Sequence, residues 1–220
     1  MEFSHYSVML EECIAGLAIR PDGIYVDGTA GGAGHSCQIA KRLTDGKLFA
    51  LDKDPDAVNI AEQRLAPYAQ ATVIQADFRD LCCTLKERGI TGVDGILLDL
   101  GVSSYQLDTT ERGFSYHQDA PLDMRMSKTG PSAQDLVNTY STEDLSRIIR
   151  EFGEEKYAWS IAKNIEKARA KAPITTTGQL AEIIRKSMPY SARREKNPAK
   201  KTFQAIRIAV NGELDALSQV

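Results

Sequence analysis

Short apolar runs alternate with amphipathic runs through the first hundred residues. The apolar runs predict four strands, at 24–26, 47–51, 72–74 and 95–98. Apolar residues that recur at helical spacing predict helices at 7–17, 36–43, 55–65 and 81–88, the third with Pro55 at its start. Strands that alternate with helices in this way are typical of a parallel α/β sheet with right-handed crossovers.

The pattern changes after Gly101. Residues 102–131 are loop-like, and amphipathic helices follow at 133–138, 142–152, 156–170, 177–188 and 202–217. We therefore expect a Rossmann-like sheet domain formed by 1–104 and 202–220, with a helical insertion at 105–201 after the fourth strand. Four strands leave one edge of the sheet exposed, so we also expect further C-terminal strands to be missing from the chain.

The composition fits one globular core plus an insertion. Of the 220 residues, 42% are hydrophobic and 26% are charged, which is typical of a protein that can bury a core. Neither a run long enough to cross a bilayer nor a secretory signal is visible, so we expect a cytoplasmic protein without membrane contact. The four cysteines lack the spacing of zinc ligands or of a disulfide framework, and no metal site is expected.

Charge is divided unevenly along the chain. The formal net charge of −3 argues against broad affinity for nucleic acid. Residues 1–104 carry nine Lys and Arg against fifteen Asp and Glu, whereas 146–201 carry fourteen against six. The second segment is therefore distinctly basic, although a solvated helical face would have the same composition.

A glycine-rich loop follows the first predicted strand. It begins at Asp27 and reads Asp-Gly-Thr-Ala-Gly-Gly-Ala-Gly-His, and the next helix starts where it ends. Such a loop lets a ligand approach the backbone and the free N–H groups of the helix. Asp52 ends the second strand, where an acid can bind both hydroxyls of an adenosine ribose.

The loop does not fit a dinucleotide. Gly32 and Gly34 form its only glycine pair at i and i+2, and the residue at i+5 is Cys37, so the GxGxxG fingerprint fails. An acid at Asp27 would attract the ammonium of a methionine-type tail rather than a pyrophosphate. This favours S-adenosylmethionine over a structural turn with unrelated acids.

Two further strands end in residues that suit the same ligand. Asp77 and Phe78 follow the third strand, where they could contact an adenine ring. Asp99 ends the fourth strand, beside the expected site of methyl transfer, and could accept hydrogen bonds from an amine that is being methylated. The following loop, 101–106, contains no cysteine, which argues against C5 methylation of a pyrimidine.

Several long motifs resemble a known family. They are Asp99–Asp108, Glu111–Ser115 and Pro121–Met126, with further similarity at His5–Glu12, Gly28–Ser36 and Thr202–Ile208. Together they resemble the bacterial 16S ribosomal RNA cytosine-N4 methyltransferases, the MraW or RsmH family. The resemblance covers essentially the whole chain and implies a class I methyltransferase that uses S-adenosylmethionine to methylate a cytidine in the decoding region.

The resemblance also implies which residues contact the methyl donor. Carried over by motif position, they are Ala33, Gly34, His35, Asp52, Phe78, Asp99 and Gln106. The family commonly has glycine at position 33, and a backbone contact should survive its replacement by alanine. A histidine that begins a helix is as often a cap or a surface residue, so the residues alone leave the role of His35 open. Asp99 is the expected catalytic residue.

An RNA substrate gives the basic segment a function. Cations bind phosphates, and the densest cluster is expected to contact 16S ribosomal RNA or the small ribosomal subunit, rather than DNA. It comprises Arg193, Arg194, Lys196, Lys200 and Lys201. Aromatic residues such as Tyr105, Phe114 or Tyr116 could support a displaced cytosine, although each of them could simply be packed in the protein.

Two other functions remain open. One is a noncatalytic RNA-binding or assembly module with a vestigial cofactor fold. The other is a small-molecule methyltransferase in which the helical insertion is a lid.

Overall fold

The computed structural model describes residues 7–193 and 197–220. Its four strands are β1 (Ile24–Asp27), β2 (Lys47–Asp52), β3 (Ala71–Gln75) and β4 (Gly95–Leu97). They form one parallel sheet in the order β3-β2-β1-β4. Each of the first three strands is followed by a helical connection to the next, because parallel neighbours require a crossover. The α/β fold class expected from the sequence is confirmed.

Apolar side chains pack on both faces of this sheet. Tyr25, Leu48 and Ala50 belong to one buried cluster, whereas Val26 and Leu51 belong to another. Neighbouring residues on a strand point to opposite faces, so the two clusters lie on opposite sides. A parallel sheet that is covered on both sides reads as nearly continuous apolar sequence, which is why the strands are visible as short apolar runs.

Four helices accompany the sheet. They are α1 (Leu10–Leu17), α2 (Gly34–Ala40), α3 (Pro55–Leu65) and α4 (Leu81–Lys86). The first begins three residues later than the sequence predicts, since Met9 has a φ of 50° and cannot continue a right-handed helix. Asp54 caps the third helix by accepting a hydrogen bond from the N–H of Asp56.

The chain divides into two compact units, 1–103 with 215–220, and 104–214. The second unit contains α5 (Ser104–Asp108), α6 (Ala133–Thr139), α7 (Thr142–Glu151), α8 (Ala158–Arg169), α9 (Thr177–Ser187), α10 (Tyr190–Arg193) and α11 (Lys200–Asn211), and α12 (Glu213–Ser218) crosses its end. Helix α11 packs against α6 and α7. The domain boundary expected from the sequence differs here, because it placed 202–220 with the sheet.

The helix expected at 202–217 is two helices. Gly212 has a φ of 58° and ends α11, as a left-handed glycine commonly does at a helix C-terminus. The segment 102–131 also contains α5, although the sequence predicted loop there. Within the described residues, no helix is long and apolar enough to cross a membrane.

Candidate functional site

Two buried or partly buried carboxyl groups lie at the same edge of the sheet. Asp27 ends β1 and pairs in register with Ala50, and Asp52 lies two residues further along the neighbouring strand. The loop 28–33 leaves β1 between them, and the N–H of Ala30 donates to the carbonyl of Leu51. The carboxyl ends of parallel strands form the edge at which open α/β sheets bind ligands.

Asp52 is held by the backbone on both sides. Its Oδ2 accepts a hydrogen bond from the N–H of Gly31 at 2.8 Å, and its Oδ1 accepts one from the N–H of Asp54 at 2.9 Å. Burial raises the pKa of this carboxyl to about 6, although both hydrogen bonds lower it. An ionised carboxylate has about four acceptor positions, so two remain for other donors.

Asp27 is enclosed more completely. Only 1% of its surface is exposed. The hydroxyl of Ser36 donates to its Oδ2 at 2.6 Å, and the N–H of Thr29 donates to its Oδ1 at 3.1 Å. Burial raises the pKa of Asp27, against these hydrogen bonds and the nearby His35. This carboxyl group therefore fixes the loop to the following helix, rather than presenting an open face to an ammonium as the sequence suggested.

Close packing shapes the end of this loop and the start of α2. Ala33 is fully buried and has a φ of 57°, a conformation that glycine adopts without strain. A methyl group on Gly34 would overlap the Ser7 side chain. His35 is buried, and its Nε2 lies 3.1 Å from the carbonyl oxygen of Val8. Because a carbonyl only accepts, Nε2 carries the proton.

His35 is therefore not a surface residue, and its side chain bonds to the backbone of Val8 instead of capping α2. Its ring links the segment before α1 to the start of α2. Which backbone or ring atoms of Ala33, Gly34 and His35 contact a donor remains a prediction.

Phe78 and Asp77 have different roles. Phe78 is buried, and its Cβ lies 3.2 Å from where a side chain on Gly28 would begin, so the residue packs against the start of the loop. Asp77 is bound by Lys53 at 3.3 Å and by Arg79 at 3.2 Å. Burial alone would raise the pKa of Asp77, but the N–H of Arg79 and the two cations lower it. Of this predicted pair, Phe78 is therefore the better candidate for contact with an adenine ring.

Asp99 is exposed and lies just beyond β4. Its N–H donates to the Thr29 hydroxyl at 2.7 Å. This hydrogen bond joins the loops after β1 and β4. Asp27 and Asp52 end their strands and Asp99 lies just beyond β4, so all three carboxyl groups belong to the carboxyl ends of strands in the same sheet. Thr29 and Ser36 were not predicted from the sequence. The available signal was a serine on the first turn of α2, whose hydroxyl can donate to a carboxylate, whereas Thr29 contacts Asp27 through its backbone N–H.

The remaining predicted residues belong to the second unit. Gln106 is buried on α5, and its donor contact stays a prediction. Phe114 is buried, and the ring of Tyr116 packs edge-on against that of Phe203, with 5.3 Å between the ring centres. Both residues are thus packed within the protein, as the alternative to a contact with cytosine predicted. Tyr105 lies on α5 and is partly buried.

The predicted phosphate-binding cluster can be described only in part. Lys200 and Lys201 are exposed at the start of α11, and the ammonium of Lys201 donates to the carbonyl of Glu154 at 3.0 Å. The side chains of Arg193, Arg194 and Lys196 lie outside the described residues. Their contact with RNA stays a prediction. Among the residues that are described, no three His, Cys, Asp or Glu side chains are grouped to hold a metal ion.

A family model identifies the chain. Residues 2–220 match the model described as the MraW methylase family. The chain belongs to the MraW methylase family. The resemblance seen in the sequence motifs is confirmed.

Curated MraW relatives agree with this assignment. Ribosomal RNA small subunit methyltransferase H 2 from Agathobacter rectalis is 55% identical over 99% of this chain and 71% of its own length. Ribosomal RNA small subunit methyltransferase H from Brevibacillus brevis is 52% identical over 100% of this chain and 71% of its own length. The protein of that name from Lachnospira eligens is 54% identical over 99% of this chain and 70% of its own length.

Proposed function

We propose that this chain methylates the N4 amine of a cytidine in the decoding region of 16S ribosomal RNA, with S-adenosylmethionine as the methyl donor. Membership in the MraW methylase family supports methyl transfer, and the printed names of its relatives support the small ribosomal subunit as substrate. The observation that carries the proposal is Asp52, a carboxyl group fixed at a strand end by two backbone N–H groups.

The site's residues fit the chemistry of an adenosyl donor. Asp52 keeps two acceptor positions, which suit the two hydroxyls of a ribose. The loop has positive φ values at Gly31 and Ala33, a tight backbone conformation of the kind that lets a ligand approach the main chain. Phe78, whose Cβ lies next to Gly28, is the apolar residue proposed to contact the adenine. The donor would be held by these residues, with Gly34, His35, Asp99 and Gln106 as the further contacts that the family implies.

The chain's contribution to the reaction is positioning and electrostatics. When bound, S-adenosylmethionine supplies a methyl group on a sulfonium, which is transferred by in-line displacement. Asp99 is proposed to accept hydrogen bonds from the target amine, which favours the geometry needed for attack. The N–H of Asp99 donates to the Thr29 hydroxyl, which joins the backbone after β4 to the loop proposed to bind the donor. This hydrogen bond supports the proposal that donor and target amine are bound next to each other.

The decisive experiment measures donor binding and methyl transfer separately. Calorimetry with S-adenosylmethionine should show binding to the chain. Small ribosomal subunits from cells that lack the modification should then acquire label from the donor, and the label should be recovered as N4-methylcytidine. Absence of donor binding would contradict the methyltransferase assignment, and label in a different nucleoside would contradict the N4 assignment.

An Asp99→Asn variant tests the catalytic role. Asn keeps the size of the side chain and loses its charge, so transfer should slow by about 10²-fold or more, the scale of a lost acid–base or acceptor contact. Asp45→Asn, on an exposed loop, is the matched control. If both variants methylated subunits at the wild-type rate with saturating donor, Asp99 would not be the acceptor group.

A further inference from the structure

Helix α8 carries a row of exposed residues on the side opposite its buried face. Ala158, Ile161, Ala162 and Ile165 are fully buried. Trp159, Lys163 and Lys167 are spaced four residues apart and are exposed, and residues with this spacing lie on one face of a helix.

Trp159 is the single tryptophan of the chain. It keeps 43% of its surface exposed, although a large apolar ring is ordinarily buried. The ammonium of Lys163 lies 5.2 Å from the centre of its ring, which is a cation–π contact. The indole therefore lies at the surface with a cation next to it, rather than inside the helical core.

The surroundings of this pair are also cationic. Lys156 precedes the helix and contacts the ring of Tyr157 at 5.0 Å, and Lys171 follows its last turn. Glu166 is the one acid within the helix. Exposed lysines beside an exposed indole, with the partly buried Tyr157 next to them, suit a polyanion whose units have flat apolar faces, because lysines bind phosphates and an aromatic ring stacks on a base.

We propose that the exposed face of α8, defined by Trp159, Lys163 and Lys167, binds a single-stranded segment of RNA, with one unpaired base stacked on Trp159. This inference rests on the proposed function, since it assumes an RNA substrate. It names a contact surface different from the cluster at 193–201. An unpaired nucleotide is the expected occupant because every base has a stacking face, whereas a duplex keeps its bases inside.

The single tryptophan gives a direct measurement. Emission of the full chain, excited at the red edge of the indole band, should change on addition of an unstructured RNA oligonucleotide. A duplex RNA of equal length should change it much less at the same bound fraction, which is followed separately by the anisotropy of labelled RNA. An unchanged emission at saturating oligonucleotide would overturn the proposal. So would a change caused by intact small subunits but not by protein-free RNA, because the occupant would then be a ribosomal protein.

Variants test the two parts of the contact. Trp159→Ala should weaken binding of the oligonucleotide by about tenfold, within the range for a lost base–aromatic stack, and Trp159→Phe should recover part of that loss. Lys163→Glu with Lys167→Glu should weaken binding and reduce the salt dependence, log Kd against log salt, by about 0.7 for each lost phosphate contact. If matched substitutions at exposed residues elsewhere weakened RNA binding equally, the assignment to this face would be overturned.

The controls match each change elsewhere. Tyr140→Ala removes another exposed aromatic side chain, and Lys86→Glu reverses another exposed lysine. Circular dichroism confirms that each variant is folded. Donor calorimetry on the wild-type chain separates the two proposals. If the donor binds and subunits are methylated while Trp159→Ala binds RNA like wild type, only the α8 surface is contradicted. If the donor does not bind, the proposed function itself fails.

Discussion

The two carboxyl groups that end β1 and β2 have different environments and therefore different roles. Asp27 uses its oxygens to hold Ser36 and Thr29, so its charge is enclosed by the loop it organises. Asp52 is bound only by backbone N–H groups and retains acceptor positions. Of the two, Asp52 is suited to binding a polar ligand and Asp27 to fixing the loop.

The raised pKa of Asp52 predicts how donor affinity depends on pH. Because its pKa is about 6, the carboxylate gains a proton as the pH falls from 7 to 5. A protonated carboxyl group accepts hydrogen bonds more weakly than a charged one, so the dissociation constant of S-adenosylmethionine should rise over this range. Asp52→Asn should bind the donor more weakly at pH 7, by about 1–3 kcal/mol, and should lose most of the pH dependence. Calorimetry at several pH values measures both effects.

Two comparisons make this prediction specific. Burial also raises the pKa of Asp27, and a pH dependence that persisted in Asp52→Asn would assign the titration to Asp27 or to another group. Asp45→Asn should retain the wild-type profile.

The free energy of unfolding should also fall as the pH rises from about 4 to about 6, because the raised pKa of Asp52 means that the folded state favours the protonated carboxyl group.

Ala33 predicts a near-neutral substitution. Its left-handed φ costs about 1 kcal/mol in an L-residue. Glycine removes that cost, but it also raises the conformational entropy of the unfolded chain, which lowers stability by about 0.4–1 kcal/mol. Ala33→Gly should therefore change the free energy of unfolding by less than about 0.5 kcal/mol. Ala33→Val should destabilise strongly, since a branched side chain fits neither the φ nor the fully buried site. Urea denaturation compares the variants, and a large loss in Ala33→Gly would show that the alanine methyl group itself packs the core.

The sequence indicated which acids end strands, but it could not show how each side chain is bound. Asp27 and Asp52 occupy equivalent places in the sequence pattern, and only the fold shows that Ser36 bonds one of them. Similarly, Lys53 and Arg79 neutralise Asp77, and no spacing rule brings those three residues together. Burial and pairing are properties of tertiary packing, and a strand-end pattern does not contain them.

The strands and long helices were predicted because their apolar patterns follow the buried faces. Most differences between the predicted and observed helices lie at helix ends, where one backbone angle decides whether a helix continues. Met9 delays α1 and Gly212 divides the last predicted helix, both through positive φ values. The short helix α5 was missed because five residues are too few to show helical periodicity.

Asn211 joins α11 to the loop before α6. Its Oδ1 accepts a hydrogen bond from the N–H of Met126 at 2.8 Å, and its Nδ2 donates to the carbonyl of Met124 at 2.8 Å. Met124 is fully buried with a φ of 60°, so this loop conformation needs support from its surroundings. One side chain thus stabilises a loop distant in sequence, within the second unit.

Replacement of Asn211 predicts a large loss of stability. In Asn211→Ala, a buried N–H and a buried carbonyl lose their partner, and each costs about 1–3 kcal/mol when left unsatisfied. We expect the free energy of unfolding to fall by about 3 kcal/mol. Gln204→Ala, on the exposed face of the same helix, is the control and should change it by less than about 0.5 kcal/mol. Similar values for the two variants would show that the loop does not depend on this amide.

The division of charge along the chain coincides with the division into compact units. The predicted donor contacts other than Gln106 lie within 1–103, which is acidic, whereas the predicted phosphate contacts lie in the basic part of 104–214. A net charge of −3 conceals this arrangement. Binding of a small donor with one net positive charge and of a polyanion can therefore depend on different residues and respond differently to salt.

Paired variants should separate the two binding functions. Arg193→Glu with Arg194→Glu should weaken binding of 16S ribosomal RNA and flatten its salt dependence, because fewer counterions are released when phosphates bind. The same variant should bind S-adenosylmethionine with wild-type affinity. Asp52→Ala should show the reverse, with donor binding weakened by about 1–3 kcal/mol and RNA affinity retained. Calorimetry for the donor and salt titrations of labelled RNA give both affinities for each variant. An equal loss of donor affinity in the arginine variant would mean that these arginines support the fold rather than bind phosphate, and that the charge asymmetry has no bearing on the substrate.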